Sequence, residues 1–437
     1  MPILPGPEGT LTVRGAVRVV LDPGTEAVDE IVVRAEETGS LDVSGCVVTP
    51  GLVNAHHHLL QTAFRTLPGT RGVPMREWLK VMAAAYARAG HDPELYGLAA
   101  AVGAAEGLLC GVTTIADHHL NWPKEATVDE TVALAGATAA AVRRVGGRLV
   151  FVRGSAGDDA DVAAASAEAI LDELIGEGVR GIADDGRVQV AVGPAGVHSD
   201  GRATFEALAD VAARHGLRRR TQANEQVDTV IALERYGCRP IELLDAWGWL
   251  APDVTLAHLC DITDAEIEQL AAAGVTATHA PGADVPMGWG IAPVARLLEA
   301  GVTVGLGTSG GGTNDAGHLL ADARLALQIS GLVGGQLPAR TVLGMATAGS
   351  AAGLGRPELG HLRPGTAGDL CAWDVSGVAD AGISDPVAGL LWGAPGRRPR
   401  HVVVGGRVVV RDYQLVHVDE TELVARLRER LIRRPVT

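Results

Sequence analysis

The chain has 437 residues, 47% of them hydrophobic and 20% charged, with a formal net charge of -15. That length exceeds what one hydrophobic core usually serves, so a large unit plus a smaller accessory unit is expected, and the composition excludes a disordered polymer. The negative balance, without a Lys/Arg stripe interleaved with aromatics, excludes nucleic acid as a partner. The opening MPILPGPEGTLTVRG carries no basic leader with an apolar stretch behind it, and no apolar run is long enough to span a bilayer, so no membrane association is expected. Cys46, Cys110, Cys238, Cys260 and Cys371 are odd in number, scattered and without a CxxC pair, which suits a reduced, cytoplasmic setting.

Residues 9–49 carry short alternating runs, LTVRGAVRVVL and IVVRA, and a matching set, LCAWDV and HVVVGGRVVV, lies within 358–416. These read as two halves of one small β unit, because chain ends tend to lie close together. Between Pro50 and about Gly355 one theme repeats: a β-branched run opened by Gly or Asp, then an Ala/Leu-rich helical stretch. Strands are expected at 47–56, 111–117, 148–153, 188–194, 217–223, 253–259, 274–280 and 301–307. Helical patterns lie between them, for example at 93–109, 128–145, 161–176, 202–214, 263–273, 291–300 and 315–330. Eight such units define an α/β chain with a closed (β/α)8 barrel over 50–357, flanked by 1–49 and 358–437. Residues 421–434 read as an Arg-rich surface helix with a solvated charged face.

Active groups in such a barrel sit at the C-terminal ends of strands. His56 and His58 share one face of the first strand and form half of a divalent-metal site, where the plain alternative is a His-rich edge. The second strand ends in Asp117, His118 and His119, the fifth in Gln222 with Glu225 just beyond, the sixth at His258, the seventh near His279, and the eighth at Thr308 and Ser309. So many candidate ligands at strand ends exceed what packing alone explains. His258 could instead satisfy a neighbouring carbonyl, and His57 points away from its neighbours. Glu225 is either an exposed loop carboxylate or a general acid/base beside water activated by a metal. Gly305 to Gly310 formally matches GxGxxG but follows seven similar units, so it reads as loop glycine. No Walker lysine and no HxE with PCxxC occurs.

These residues resemble the amidohydrolase superfamily, in particular triazine hydrolases, 8-oxoguanine deaminases and related aminohydrolases of N-heteroaromatic rings. The resemblance covers nearly the whole chain. It rests on PGLVNAHHHLLQTAFR, GVTTIADHHL, GPAGV at 193–197, LAHL around His258, PMGWGIAP at 286–293, GLGTSGGGTND, MATAGSAAGLG and LRPGTAGDLCAWD. It implies a barrel joined to a β-sandwich built from both termini. By position it makes His56 and His58 the first two metal ligands, His258 the later histidine ligand and Glu225 the proton-shuttling carboxylate. Where the family reads HxHxxE, this chain reads Arg220-Thr221-Gln222-Ala223-Asn224-Glu225, so the third histidine has become Gln222. Ser309 stands where most relatives carry Asp, although triazine hydrolase also uses a hydroxyl residue there. An amide oxygen is a weaker zinc ligand than imidazole, yet three histidines plus water remain a catalytic zinc arrangement.

The expectation is a hydrolase holding one divalent ion, zinc by preference, and removing an amino or other leaving group from a triazine, purine, pterin or pyrimidine-like ring. Ser309 would orient water or a ring nitrogen. Trp78, Met287 and Trp289 would line an apolar slot, with Gln61 and Asp284 reading ring edges. The family resemblance also implies a homodimer or larger assembly. Two rivals stand beside this reading: a metal-poor enzyme of the same fold repurposed for elimination, cyclisation or isomerisation, and a non-catalytic heterocycle-binding protein.

Overall fold

The computed structural model describes residues 9–36 and 38–435, so the expectation about the opening residues lies mostly outside it. Four strands come first: β1 (Gly9–Asp22), β2 (Thr25–Ala35), β3 (Gly39–Asp42) and β4 (Cys46–Pro50). Nine parallel strands follow: β5 (Leu52–His58), β6 (Val112–His119), β7 (Arg148–Ser155), β8 (Val188–Pro194), β9 (Arg219–Ala223), β10 (Val254–His258), β11 (Thr276–His279), β12 (Val304–Leu306) and β13 (Ser309–Gly310). They are hydrogen-bonded in the order β12-β11-β10-β9-β8-β7-β6-β5-β13. β12 and β13 are two pieces of one eighth stave, interrupted at Gly307 and Thr308. β12 pairs with β11 while β13 pairs with β5, Ser309 opposite His57. The sheet therefore curls until the last stave meets the first, the curvature of a TIM-like barrel.

These strands read as continuous apolar runs because both faces are covered; β8 is buried at every position. Helices on the outside stop and start where local chemistry dictates. Val128–Val145 opens on a capping box between Thr127 and Glu130 and ends on left-handed Gly146. Asp264–Ala273 repeats the device with Thr263, Glu266 and Gly274. Inside the barrel, Val53, Ala116, Val150, Val152 and Ala191 pack against Ala351, Leu354 and Leu359. The lumen is thus a filled core below its mouth.

The small unit is one mixed sheet of eight strands, completed by β14 (Leu370–Asp374), β15 (His401–Val404), β16 (Arg407–Arg411) and β17 (Gln414–Leu415) in the order β17-β16-β15-β14-β4-β1-β2, with β3 on β1. In place of the two facing sheets expected of a sandwich, hydrogen bonding makes one continuous sheet that encloses Val13, Val19, Val33, Val48, Leu370 and Val403. β4 pairs antiparallel with β14, Pro50 opposite Leu370, and joins the two ends of the chain. The run expected as one strand at 47–56 is therefore two. β4 serves the terminal sheet and β5 the barrel, and Gly51 turns the chain between them where a Cβ would lie 2.3 Å from Thr113 Oγ1.

Two helical features depart from the sequence reading. Met75–Ala89, not foreseen, buries Met75, Trp78, Met82, Ala85, Tyr86 and Ala89. In the final helix, Glu420–Arg433, Arg430 is buried and donates to Asp92 (2.6 Å) and the Ala89 carbonyl (3.1 Å), so its charges are not all solvated. No helix among the described residues is long and apolar enough to cross a membrane.

Candidate active site

β5, β6, β9 and β10 deliver their last residues to one buried cluster. The His56 ring lies 4.9 Å from His58 and 5.2 Å from His258 between centroids, each edge to face, and 5.8 Å from His118. His58 donates Nδ1 to the His118 carbonyl at 2.7 Å, and His258 Nδ1 meets Asp284 Oδ1 at 2.7 Å. For His58, fixing Nδ1 in this way sets the tautomer and leaves Nε2 as the available lone pair. His56 Nε2 is buried without a hydrogen-bond partner. Burial holds His56 well below the ordinary imidazole range and pulls His58 down as well, so both rings are neutral.

His258 behaves differently. Burial pulls it down, but the carboxylates of Glu225 and Asp284 outweigh burial and push it up to about 9. Its Nε2 lies 3.1 Å from Glu225 Oε1 and 3.3 Å from Gln222 Oε1. Burial pushes Glu225 upward despite the nearby imidazoles, and its second oxygen has no partner. A buried carboxyl with one free oxygen can both accept and return a proton. Gln222 also donates Nε2 to the Ala195 carbonyl at 3.0 Å, which aims its oxygen at His258. Non-glycine residues with left-handed backbone cluster at these strand ends: Asn224, His258, Leu259 and Ser309. Such conformations persist only where the surroundings enforce them.

The other expected residues divide. Ser309 is buried, pairs in register with His57 and lies 3.5 Å from Thr313 Oγ1. Trp289 is buried with its indole nitrogen unpartnered, its ring 6.2 Å from His258 and 6.0 Å from Trp78. Met287 lies beside Arg71, its sulfur 3.8 Å from Nη1. Trp78 spends its indole N–H on the Gly312 carbonyl. Gln61 and Asp284, expected to read ring edges, each also make a contact within the protein. Gln61 Oε1 accepts from Gly312 N at 3.0 Å and braces the loop after β13, while Asp284 orients His258 through one oxygen and leaves the other unpartnered.

Asn54 escaped the sequence reading, whereas the histidines around it stand out as strand-end candidates. Asn54 donates to Thr308 Oγ1 (2.7 Å) and accepts from Thr308 N (3.2 Å), and His57 lies 2.8 Å from the same hydroxyl, fastening the first stave to the eighth. His118 donates Nε2 to the Gly193 carbonyl. His119 turns to Asp117 at 3.4 Å and packs on Trp122 and Phe151, away from the cluster. His279 is buried beside Asp284, with Nδ1 unpartnered. Burial and Asp284 push the Cys260 thiol up.

The donor set fits a divalent ion. Three imidazoles meet, two are neutral, two are fixed through Nδ1, and the unpartnered Nε2 of His56 is the kind of buried orphan a ligand satisfies. Among the described residues no three His, Cys, Asp or Glu donors stand in a closed coordination set; Glu225 and Gln222 turn instead to His258 Nε2.

A parallel barrel with imidazoles and a carboxylate gathered at its strand ends defines a class of hydrolase. The chain belongs to the amidohydrolase family, whose model matches residues 47–409. It is 36% identical over 406 residues to 8-oxoguanine deaminase of Pseudomonas aeruginosa, covering 89% of this chain and 87% of that one. Identity to 5-methylthioadenosine/S-adenosylhomocysteine deaminase of Nitratidesulfovibrio vulgaris is 30%, covering 89% and 85%. Among solved structures it resembles atrazine chlorohydrolase of Arthrobacter aurescens complexed with zinc, at a TM-score of 0.88 and 33% identity over 96% of this chain and 100% of that one. This chain is accordingly an amidohydrolase, an enzyme for carbon–nitrogen bonds other than peptide bonds.

Proposed function

We propose that this enzyme hydrolyses a small N-heteroaromatic ring at a carbon bearing an amino or other leaving group, with one divalent ion, zinc by preference, per chain. The observation that carries this is the meeting of His56, His58 and His258 within 4.9 and 5.2 Å, with Glu225 3.1 Å from His258. Relatives named for 8-oxoguanine, methylthioadenosine and atrazine support a triazine, purine, pterin or pyrimidine-like ring.

His56, His58 and His258 would hold the ion, with Gln222 as a weak amide donor, and when bound it supplies the Lewis acidity that activates water and polarises the ring. Glu225 takes the water proton on its unpartnered oxygen as the new C–O bond forms. It then returns that proton to the departing group as the ring bond to that group breaks, so water and an aminated ring yield a hydroxylated ring and ammonia. Asp284 holds His258 in one tautomer throughout. Ser309 orients the water or a ring nitrogen. Trp289 offers its free N–H to a ring acceptor, and Met287 and Trp78 complete an apolar wall.

Screening aminopurines, pterins, pyrimidines and s-triazines for released ammonia, amine or halide tests this. Turnover of at least one, lost in Glu225→Gln, is expected; saturable binding of a ring without any turnover would point to a non-catalytic binder. The metal-poor alternative is favoured by one observation, the glutamine at the third ligand position. A Gln222→His variant that gains metal without gaining hydrolysis would support it.

A further inference from the structure

Arg220 enters the barrel two residues before Gln222, on the same face of β9. It is 2% exposed. Its Nη2 donates to the Ala55 carbonyl and lies 3.5 Å from Thr278 Oγ1, so the side chain reaches across the lumen from the fifth stave toward the first and seventh. Nε and Nη1 are buried with no hydrogen-bond partner. No carboxylate among the described residues offsets the charge, and the charged group felt most strongly by this guanidinium is another arginine, Arg218. Neighbouring Arg219, on the opposite face, shows what a satisfied arginine looks like on this strand: its Nε and Nη2 both meet Asp253, at 2.6 and 2.8 Å.

The position is built to admit this chain segment. A Cβ at Gly193 would lie 1.5 Å from the Arg220 carbonyl oxygen, so only glycine fits on the facing strand. Ala55, which accepts from Arg220, immediately precedes His56, so the guanidinium is anchored to the backbone that carries the first imidazole of the cluster.

We infer that Arg220 is a built-in cation that weakens the hold of the histidine centre on a divalent ion. The inference rests on the metal-site reading of His56, His58 and His258. A fixed positive charge in a low-dielectric lumen repels a second cation, and no carboxylate among the described residues pairs with Arg220 to neutralise it. Gln222 and Ser309 are neutral donors, which leaves Glu225 and Asp284 as the carboxylates of the cluster; Arg220 offsets one of those two charges. The consequence is a centre that exchanges its ion readily and takes it up only when metal is abundant.

Zinc affinity of the full-length chain, measured by competition with a chromophoric chelator and by cobalt absorption, tests this in Arg220→Met, Arg220→Gln and Arg220→Lys. Met and Gln, which remove the charge, are expected to bind zinc about tenfold more tightly or better, while Lys, which keeps it, stays within about threefold of the parent. Gln retains a donor for the Ala55 carbonyl and serves if the Met variant does not fold. Unchanged or weaker binding in Met and Gln, or equal tightening in Lys, overturns the inference while leaving the metal site intact. Absence of zinc binding in the parent and in every variant overturns the metal-site reading as well.

Discussion

Arg148 and Arg220 are both buried inside this barrel, and they sit in opposite chemical worlds. At the junction with the terminal sheet, Arg148 meets Asp369 through Nε at 2.8 Å and Nη2 at 2.9 Å, and donates Nη1 to the Gly186 carbonyl. Asp369 in turn accepts from Gly405 N, and its backbone carbonyl accepts from Gly51 N. Arg148 and Asp369 answer each other's charge. Nearer the mouth, Arg220 lacks a carboxylate, and His56 Nε2, Glu225 Oε2, Asp284 Oδ2 and Trp289 Nε1 lack partners. Unpaired buried polar atoms cost free energy, so a fold keeps them where a ligand or a reaction uses them. The junction holds the molecule together; the mouth holds its chemistry.

That division can be broken by substitution. Glu225→Gln should lower turnover by about 10²–10⁴ while leaving the melting temperature near that of the parent, since only a proton carrier is lost; a comparable loss of stability would move Glu225 to the structural side. Asp369→Asn should do the reverse. Leaving Arg148 buried without its carboxylate costs about 3–5 kcal/mol in urea unfolding, with turnover per folded molecule retained.

Between these extremes, Asp284→Asn should lower zinc affinity by about 10- to 100-fold, because His258 loses the carboxylate that fixes its ring; unchanged affinity in a chelator competition would assign Asp284 back to reading the substrate. A pH-dependent effect concerns Asp322, whose carboxyl burial pushes up to about 7 from an ordinary 3.8, despite donation from Asn314 and Gly282. The native chain then keeps a proton that the unfolded chain releases, so this group's contribution to stability falls as pH rises from about 4 to about 7 and levels off above. Denaturant melts should show Asp322→Asn gaining on the parent across that window, by no more than about 1.4 kcal/mol per pH unit, and a constant difference would show that Asp322 titrates normally.

The staves were legible because buried parallel strands are written as apolar runs between glycines, and their last residues followed directly as candidates. Gln222 and Ser309 stood out for the same reason, by occupying stave ends. What escaped depends on contacts between distant residues. Pairing of β4 with β14 splits the run 47–56, and Cys46 to Pro50 look no different in sequence from Leu52 to His58. Gln61 accepts from the Gly312 amide, 251 residues away, a contact that no local pattern announces. Arg218, Arg219 and Arg220 are identical in sequence, and only the fold gives one of them a bidentate carboxylate and another none.

The most direct measurement is metal content set beside turnover, before and after chelation, on one preparation. The expected result is about one divalent ion per chain when zinc is supplied in excess, hydrolysis that disappears when the ion is removed, and its return with added zinc. A metal-free protein that turns over its substrate at an undiminished rate would contradict the assignment of His56, His58 and His258 as ligands.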